Sequence, residues 1–535
     1  LLFNKKTQTV QTALYLDDKI VNTKIRKDFI FDKLNPIIEK FERDNNIDVH
    51  ISGMPYVRTL NSQNIKAEMG MFVGLALFVT AFIFFLFFKS YRATFITLLV
   101  VSIGVIWAFG FIGLFRYEIT ILTALIPPLI IVIGVPNAIF IINKYQQEVK
   151  KHGNKTKSLQ RVISKVGNAT LMTNITTAAG FATFVFTNSQ LLNEFGIIAS
   201  INIMAIFVLS ILIIPSLYSF MPLPKEKHLT HLERKWMSKT VNWMVRMVRN
   251  QKIAIYTSAL LVIIISIIGV YKIRVSGSII EDMPKDKLFF QDILFFEKEF
   301  GGIMPLEILI DTKKKNGVLK LSTLKKIEKL TDAIDLIPDL SPAISVNKLV
   351  KYAKQAFYNG NPKYYQLPTS QEKNFLLAYL KNTPESTNTL ENIVDSTGRY
   401  ARITTYMKDV GTDKMERIQE RLQAVIDKEF PSEKFEVTLT GKALVFLRGT
   451  TYLINNLVIS LSLAILLISL FMGWMFRSLR MIFISLIPNL LPLLVTAGLM
   501  GYLGIPIKPS TILVFSIAFG ISVDDTIHFL AKYRQ

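Results

Sequence analysis

MGMFVGLALFVTAFIFFLFFKSYR, residues 69–92, is the stretch that decides the fold class: its first 20 residues carry no charged side chain, and Lys89 and Arg92 then follow. About 20 consecutive apolar residues in a helix cross a hydrocarbon core about 30 Å thick. The stretch therefore predicts a transmembrane helix, and with it an integral membrane protein.

Similar apolar stretches recur along the chain, which has 535 residues, 50% of them hydrophobic. A hydrophobic share this high, with the residues clustered in runs, is unusual for a globular protein. We predict nine membrane-spanning helices, at residues 69–88, 94–115, 119–143, 170–187, 195–221, 252–271, 452–476, 481–503 and 509–531.

The net charge of +22 is concentrated in alternate connections between these spans. Seven Lys or Arg residues lie in 144–169 and eight in 222–252, whereas the connections at 188–194 and 504–508 carry few. Basic connections mark the cytoplasmic side of a membrane protein. Since topology accounts for much of the excess, we expect anionic membrane lipids or substrate, and no nucleic acid, as the partner of the remaining charge.

Residues and motifs typical of metal sites, disulfides and enzyme active sites are sparse in this sequence. The chain has no cysteine, which excludes disulfides and thiolate metal sites, and its five histidines are scattered. His228 and His231 are close together but lack the spacing of a metal site. No phosphate-binding G-x-x-x-x-G-K-[ST] loop and no G-x-S-x-G elbow occurs. We expect no enzyme, no metal and no cofactor.

The chain repeats itself after a shift of 388 positions. Residues 49–53, VHISG, match 437–441, VTLTG, and residues 88–92, FKSYR, match 476–480, FRSLR, with no gap between them. Six predicted spans separate the start of one copy from the start of the next, so both copies have the same orientation. A parallel repeat of this kind is a transporter architecture, with sites near the interface between the two copies.

Polar stretches between the spans predict further domains. In residues 272–450 we expect two βαβ units, with strands at 306–310, 343–346, 402–406 and 435–440 and helices at 322–337 and 414–430. Residues 8–16, 24–45 and 47–52 repeat the second unit. The predicted organisation is the end of a first extramembrane domain at 1–68, spans at 69–221, a basic cytoplasmic amphipathic linker helix at 222–251, a span at 252–271, a second extramembrane domain at 272–450 and spans at 451–535.

The linker contains HLERKWMSKTVNWMVRMVRN, residues 231–250, which mixes tryptophan and methionine with basic residues. It is too charged to span the membrane, and it is typical of a helix that lies along the cytoplasmic interface. A soluble linker helix is the alternative that the same residues allow.

Asp524 and Asp525 stand side by side in the last apolar stretch, which otherwise carries almost no charge. A carboxylate at membrane depth costs on the order of 3 kcal/mol to hold charged, so it faces the helix bundle, pairs with a cation or carries a proton. His528 follows three and four residues later and shares a helix face with the pair. We predict a proton relay of Asp524, Asp525 and His528.

Two alternatives stay open for the relay. The acidic pair is close enough to the basic end of the stretch to solvate the cytoplasmic headgroups, and His528 fits an ordinary interfacial histidine equally well. The 388-residue register places Pro136 and Asn137 opposite the two aspartates. The first copy thus has no acid at this position: Asn137 would be a neutral hydrogen-bond partner, and Pro136 should kink its helix.

Residues 520–534, GISVDDTIHFLAKYR, closely resemble the Gly-x-x-x-Asp signature in the fourth and tenth spans of resistance-nodulation-division (RND) exporters. Residues 173–181, TNITTAAGF, and 280–286, IEDMPKD, are similar to other parts of that superfamily. The resemblance is greatest to the branch that includes mycobacterial-membrane-protein-large and hopanoid transporters.

The resemblance implies a polytopic helical protein of twelve spans, of which the first precedes Leu1 and the last two follow Gln535. It implies ferredoxin-like α/β porter domains in the periplasm, a location in the bacterial inner membrane, and export of a lipid or other hydrophobic substrate driven by protons. Asp524 would take the proton-carrying position. A homo-oligomer is left open. A non-transporting sterol-sensing-like or lipid-scaffolding protein and a SecDF-type translocation accessory are the alternatives.

Overall fold

The computed structural model describes residues 3–4, 7–21, 23–120, 122–224, 235–274, 277, 283–372 and 392–534. The chain is mostly helical. In chain order its α-helices are α1 Asp18–Val21, α2 Lys24–Phe29, α3 Asn35–Asn45, α4 Met54–Phe88, α5 Tyr91–Leu114, α6 Ile126–His152, α7 Lys155–Ala182, α8 Gln190–Phe220, α9 Lys235–Asn250, α10 Lys252–Val270, α11 Leu288–Phe300, α12 Leu321–Asp335, α13 Val346–Phe357, α14 Thr412–Glu429, α15 Lys442–Phe476, α16 Leu479–Leu503 and α17 Pro509–Arg534. The strands are β1 Phe3–Asn4, β2 Thr9–Val10, β3 Met304–Asp311, β4 Tyr400–Met407 and β5 Glu436–Thr440.

The chain divides into two compact units. We call Leu1–Asn61 with Val275–Thr451 the sheet unit, and Ser62–Arg274 with Tyr452–Gln535 the helical unit.

The sheet unit is built around β3, which pairs with β4 on one side and β5 on the other, antiparallel to both. Residues of β3 alternate between the core and the other face, and Leu306, Ile308 and Ile310 are buried. Helices α12 and α14 cover this apolar face with residues at helical spacing, such as Ile327 and Leu422. The predicted strands at 306–310, 402–406 and 435–440 and the two predicted helices are therefore confirmed.

Three predicted strands of the sheet unit are wrong. Residues 343–346 contribute one bridge, between Ile344 and Thr404, and then α13 begins, because its amphipathic pattern buries Val346 and Val350. At 8–16 only Thr9 and Val10 are in a strand, and 47–52 form none. No described strand lies beside 47–52, and an extended segment without a neighbour has no ladder to join.

The helical unit contains most of the membrane-spanning segments. By length and composition, eight helices of the described residues are able to cross a membrane: Met54–Phe88, Tyr91–Leu114, Thr123–His152, Lys155–Phe186, Gln190–Phe220, Lys252–Val270, Lys442–Phe476 and Leu479–Leu503. They correspond to the first eight predicted spans. In α17, the ninth, the apolar segment among the described residues is the shorter Ser510–Val523.

The first helix of each repeat copy has the same limits. Helices α4 and α15 are both 35 residues long and are related by the 388-residue shift at both ends. Each ends at a residue in the left-handed conformation, with φ of 47° at Lys89 and 50° at Arg477. A serine then precedes the next helix in both copies. The match extends to backbone conformation, which the sequence comparison alone does not test.

The amphipathic linker at 222–251 remains a prediction. Residues 225–234 lie outside the described residues, and α9 covers 235–250. On α9 the side chains of Val241, Met244, Val245 and Val248 are exposed and share one face at helical spacing.

Candidate functional site

A pair of asparagines is buried between α6 and α7 in the helical unit. Asn137 is 1% exposed and Asn174 is 2% exposed. Each amide nitrogen donates to the other's side-chain oxygen at 3.1 Å, so the two side chains form a closed pair. The amide of Asn174 also donates to the carbonyl of Thr170 at 2.7 Å. Burying polar groups among apolar helices is tolerated when they are hydrogen-bonded in this way.

Helix α7 continues this polar surface along its length. Thr170, Thr173, Thr176 and Thr177 are buried, and the hydroxyl of Thr170 has no hydrogen-bond partner among the described residues. The hydroxyl of Thr177 donates to the carbonyl of Gly520 in α17 at 3.4 Å. Helix α17, which carries the two aspartates, therefore packs against the polar face of α7.

The contact between Thr177 and Gly520 gives a common reference point for the positions of Asn174 on α7 and Asp524 on α17. Asp524 follows Gly520 by four residues, a rise of about 6 Å along α17. Asn174 precedes Thr177 by three residues, a rise of about 4.5 Å along α7. Asn174 on α7 and Asp524 on α17 thus each lie about one turn from the same point of contact.

A second polar cluster joins α16 to α17. The side-chain oxygen of Asn489 accepts from the hydroxyl of Ser522 at 2.7 Å and from that of Thr526 at 2.8 Å, and its amide donates to the carbonyl of Ser485 at 2.8 Å. Asn489 is 3% exposed. Ser522 and Thr526 bracket Asp524 and Asp525 in sequence, so the stretch of α17 that carries the acids is held by hydrogen bonds to α16.

The two repeat copies differ at this cluster. The register pairs Asn489 with Val101, Ser522 with Gly134 and Thr526 with Ala138. The first copy therefore has no hydrogen bonds of this kind between α5 and α6, and its Asn137 pairs with α7. Its α6 runs without interruption through Pro136, and the predicted kink is not seen as a break in the helix.

The cytoplasmic end predicted for α6 carries a buried acid that the sequence analysis did not single out. Glu148 is 4% exposed. Its carboxylate lies 3.1 Å from a guanidinium nitrogen of Arg161, 3.3 Å from the amine of Lys144 and 3.7 Å from His152. The ion pair with Arg161 links α6 to α7, and that with Lys144 lies within α6.

The structure describes the side chains of some predicted site residues and not of others. Asp524, Asp525 and His528 all belong to α17, and their side chains lie outside the described part of the chain, so the relay remains a prediction. Asn137 is brought against Asn174, which the sequence analysis missed. Asn489 was missed too. Polar residues within apolar stretches were the available signal, but the pairing across 37 positions depends on how the helices pack.

A family model matches residues 25–264 and 322–535 of this sequence. The chain belongs to the MMPL family. The match includes α4 to α8, both polar clusters and all of α17. It confirms the resemblance that residues 520–534 suggested.

Two curated proteins are similar to this MMPL chain. One is a putative membrane protein of Methanocaldococcus jannaschii, 24% identical over 211 residues, which are 39% of this chain and 53% of that protein. The other is the apo-petrobactin exporter of Bacillus anthracis, 21% identical over 434 residues, which are 74% of this chain and 53% of the exporter. The chain thus spans about half the length of the curated relatives it matches.

Proposed function

We propose that this MMPL chain forms part of a secondary transporter that exports a hydrophobic substrate and is driven by protons passing Asp524. The observation that supports the proposal is the packing of α17 against the polar face of α7, where Thr177, three residues after Asn174 of the buried asparagine pair, contacts Gly520, four residues before Asp524. Family membership and similarity to a named exporter support transport as the activity.

The position of Asp524 in an apolar stretch of the sequence suits a group that gains and loses a proton. A carboxyl at membrane depth favours its neutral form, and the adjacent Asp525 favours it further by like-charge repulsion. The amides of the asparagine pair offer both donors and acceptors, so they are able to hydrogen-bond either form of a carboxyl. Proton loading would therefore change hydrogen bonding between α7 and α17, which is a means of coupling protonation to helix movement.

The first repeat copy has no acid opposite the pair, because Asn137 occupies the register position of Asp525. We infer a one-sided relay in which the second copy carries the proton and the first supplies neutral hydrogen-bonding groups. His528 would extend the relay towards the cytoplasm. Asp525 would share the proton with Asp524 as a coupled pair.

For the remaining parts of the chain we propose the roles that the family resemblance implies. The sheet unit would be a porter domain in the periplasm, with the helical unit in the bacterial inner membrane. The substrate would be a lipid or another molecule with a large apolar part. The relative in Bacillus anthracis is named for export of apo-petrobactin. At 21% identity over the matched residues, we carry over to this chain the activity of export and leave the substrate to experiment.

A non-transporting lipid scaffold is the second candidate, favoured by the missing acid in the first copy. The two functions differ in proton flux. We expect the complete protein in proteoliposomes to move protons, reported by an internal pH dye, when a gradient and co-purified substrate are supplied.

The test compares Asp524→Asn with two further variants. Asp524→Asn should abolish the substrate-dependent flux, Asp525→Asn should reduce it, and Thr257→Val, on the exposed surface of α10, should leave it unchanged. Equal flux in wild-type protein and Asp524→Asn would remove Asp524 from the pathway. An absence of any substrate-dependent flux, with lipid still bound to the purified protein by mass spectrometry, would favour the scaffold.

A further inference from the structure

Helices α10 and α16 end side by side in the helical unit, at the end of α10 that is away from the basic linker. Their backbones meet closely, because a Cβ atom added at Gly501 would overlap the carbonyl of Gly269. Beyond the two helix ends, the backbone N–H of Ile507 donates to the carbonyl of Arg274 at 2.8 Å. The segments that follow α10 and α16 are therefore held together.

A pocket with a volume of about 560 Å³ lies at this common end. We call it the outer pocket, and its lining residues are Lys272, Arg274, Gly501, Tyr502 and Gly504. The amine of Lys272 lies 5.0 Å from the centre of the Tyr502 ring, which is a cation–π contact. The hydroxyl of Tyr502 donates to the carbonyl of Ile265 in α10 at 2.8 Å, so this ring is itself held in place. Two cations thus line a pocket whose walls are tied together.

The charge around the outer pocket is positive. Residues 271–274 and 504–508 contain Lys272, Arg274 and Lys508, and they contain no Asp or Glu. Helices α10 and α16 both end here, and a helix C-terminus carries about half a negative charge. The two helix ends together offset about one of the three cations. The remaining charge favours an anionic ligand.

The corresponding connection of the first repeat copy is neutral. The 388-residue register pairs residues 504–508, GIPIK, with residues 116–120, RYEIT, in which Arg116 is accompanied by Glu118. Basic residues are also expected mainly at the cytoplasmic ends of membrane spans, and this is the opposite end of α10 and α16. Neither the repeat nor the topology rule therefore accounts for the cations of the outer pocket.

Exposed apolar side chains lie on the membrane side of these cations. Ile268 on α10 and Leu499 and Leu503 on α16 are all exposed. Tyr271 and Tyr502 are exposed at the level of the pocket, and aromatic residues of this kind mark the headgroup level of a bilayer. A soluble anion would contact the cations but would leave the apolar surface uncovered. A lipid with an anionic headgroup contacts both.

We propose that the outer pocket binds the phosphate of an anionic phospholipid of the extracytoplasmic leaflet, whose acyl chains lie along α10 and α16. Lys272 and Arg274 donate charge-assisted hydrogen bonds to the phosphate oxygens. This binding requires neither Asp524 nor a transported substrate. Its failure in the test below would therefore leave the proposed transport function untouched.

Photo-crosslinking of the complete protein in phosphatidylcholine nanodiscs tests the site. The probe is phosphatidylglycerol that carries a diazirine beside its headgroup, and mass spectrometry identifies the labelled peptides. We expect label in 265–274 and 498–508 that unlabelled phosphatidylglycerol displaces and inorganic phosphate does not. Lys272→Gln combined with Arg274→Gln should reduce this labelling about thirtyfold, because each cation near a bilayer surface strengthens the binding of anionic lipid about fivefold. Labelling of the basic cytoplasmic segment 144–161 should not change.

Two control variants separate the charge of the pocket from other effects. Arg116→Gln removes a cation from the matched connection of the first copy and should leave labelling of the outer pocket unchanged. Lys272→Arg keeps the charge and should keep the labelling, so a loss of labelling in this variant too would overturn the proposal. Equal labelling in wild-type protein and the double variant would also overturn it. Displacement of the probe by inorganic phosphate would show a site for a soluble anion and would contradict a lipid site.

Discussion

The asparagine pair between α6 and α7 makes a quantitative prediction. Asn137→Leu keeps the branched shape of the side chain, but leaves the Asn174 oxygen without its donor, while the Asn174 amide still reaches the carbonyl of Thr170. A buried acceptor without a partner costs about 1–3 kcal/mol. Hydrogen bonds within membrane proteins contribute on average about 0.6 and at most about 1.7 kcal/mol each. For the two reciprocal bonds we therefore expect a coupling energy of about 1–3 kcal/mol.

A double-mutant cycle of Asn137→Leu and Asn174→Leu measures this coupling. Free energies of unfolding would be obtained for the purified protein in bicelles, by reversible steric trapping. The double variant should be less destabilised than the sum of the single variants. Asn202 provides the control, because its amide donates to Ile198 of its own helix, and a cycle of Asn137→Leu with Asn202→Leu should show no coupling. Additive effects for Asn137 and Asn174 would refute the closed pair.

Two further predictions concern other parts of the chain. In the sheet unit, the buried amine of Lys354 donates to the Glu372 carboxylate and is the main cause that lowers the pKa of this group from 4.5 to about 2. The ionised carboxylate therefore stabilises the fold above pH 4.5, and this stabilisation is lost as the pH falls from about 4.5 towards 2. Glu372→Gln should speed hydrogen exchange in Val346–Phe357 at pH 7, and a rate equal to that of wild type would contradict this role. In the helical unit, Asn489→Leu removes the acceptor of two hydroxyl groups of α17 and should destabilise the protein by about 1–3 kcal/mol. Thr526→Val removes one of these hydroxyl groups and should destabilise the protein less. The reverse order in an unfolding titration would disprove the cluster.

The membrane-spanning part of the fold was predictable because hydrophobicity reports burial in lipid directly. The residues at which the helices begin and end were less predictable. The apolar stretch at 69–88 predicts only the part of α4 within the hydrocarbon core, and the helix begins at Met54, because its polar first turns continue the same backbone hydrogen bonding outside that core. The two repeat copies agree in these limits, since α15 begins and ends at the positions of α4 shifted by 388.

The sheet unit was predicted correctly where strand and helix patterns differ clearly. The alternating pattern of β3 and the helical spacing of α14 are unambiguous. Residues 343–346 are apolar but short, and a short apolar run does not distinguish a strand from the start of a helix. The amphipathic residues that follow decided for α13.

The candidate site was predictable only on one side. Asp524 and Asp525 were recognisable because acids are rare in apolar stretches, and Asn137 because the register aligned it with Asp525. Nothing in the sequence singles out Asn174 or Asn489 in this way. Their roles come from helix neighbours far apart in sequence, and side-chain periodicity within one helix carries no information about which other helix it meets.

The most direct test of the account is whether Asp524 itself takes up a proton. Infrared difference spectroscopy of the purified complete protein between acidic and neutral pH detects the carbonyl band of a protonated carboxylic acid. We predict a band in wild-type protein that is lost in Asp524→Asn and is shifted but retained in Asp525→Asn, because the two carboxyls titrate as a coupled pair. An unchanged band in Asp524→Asn would contradict the assignment of the proton-carrying residue.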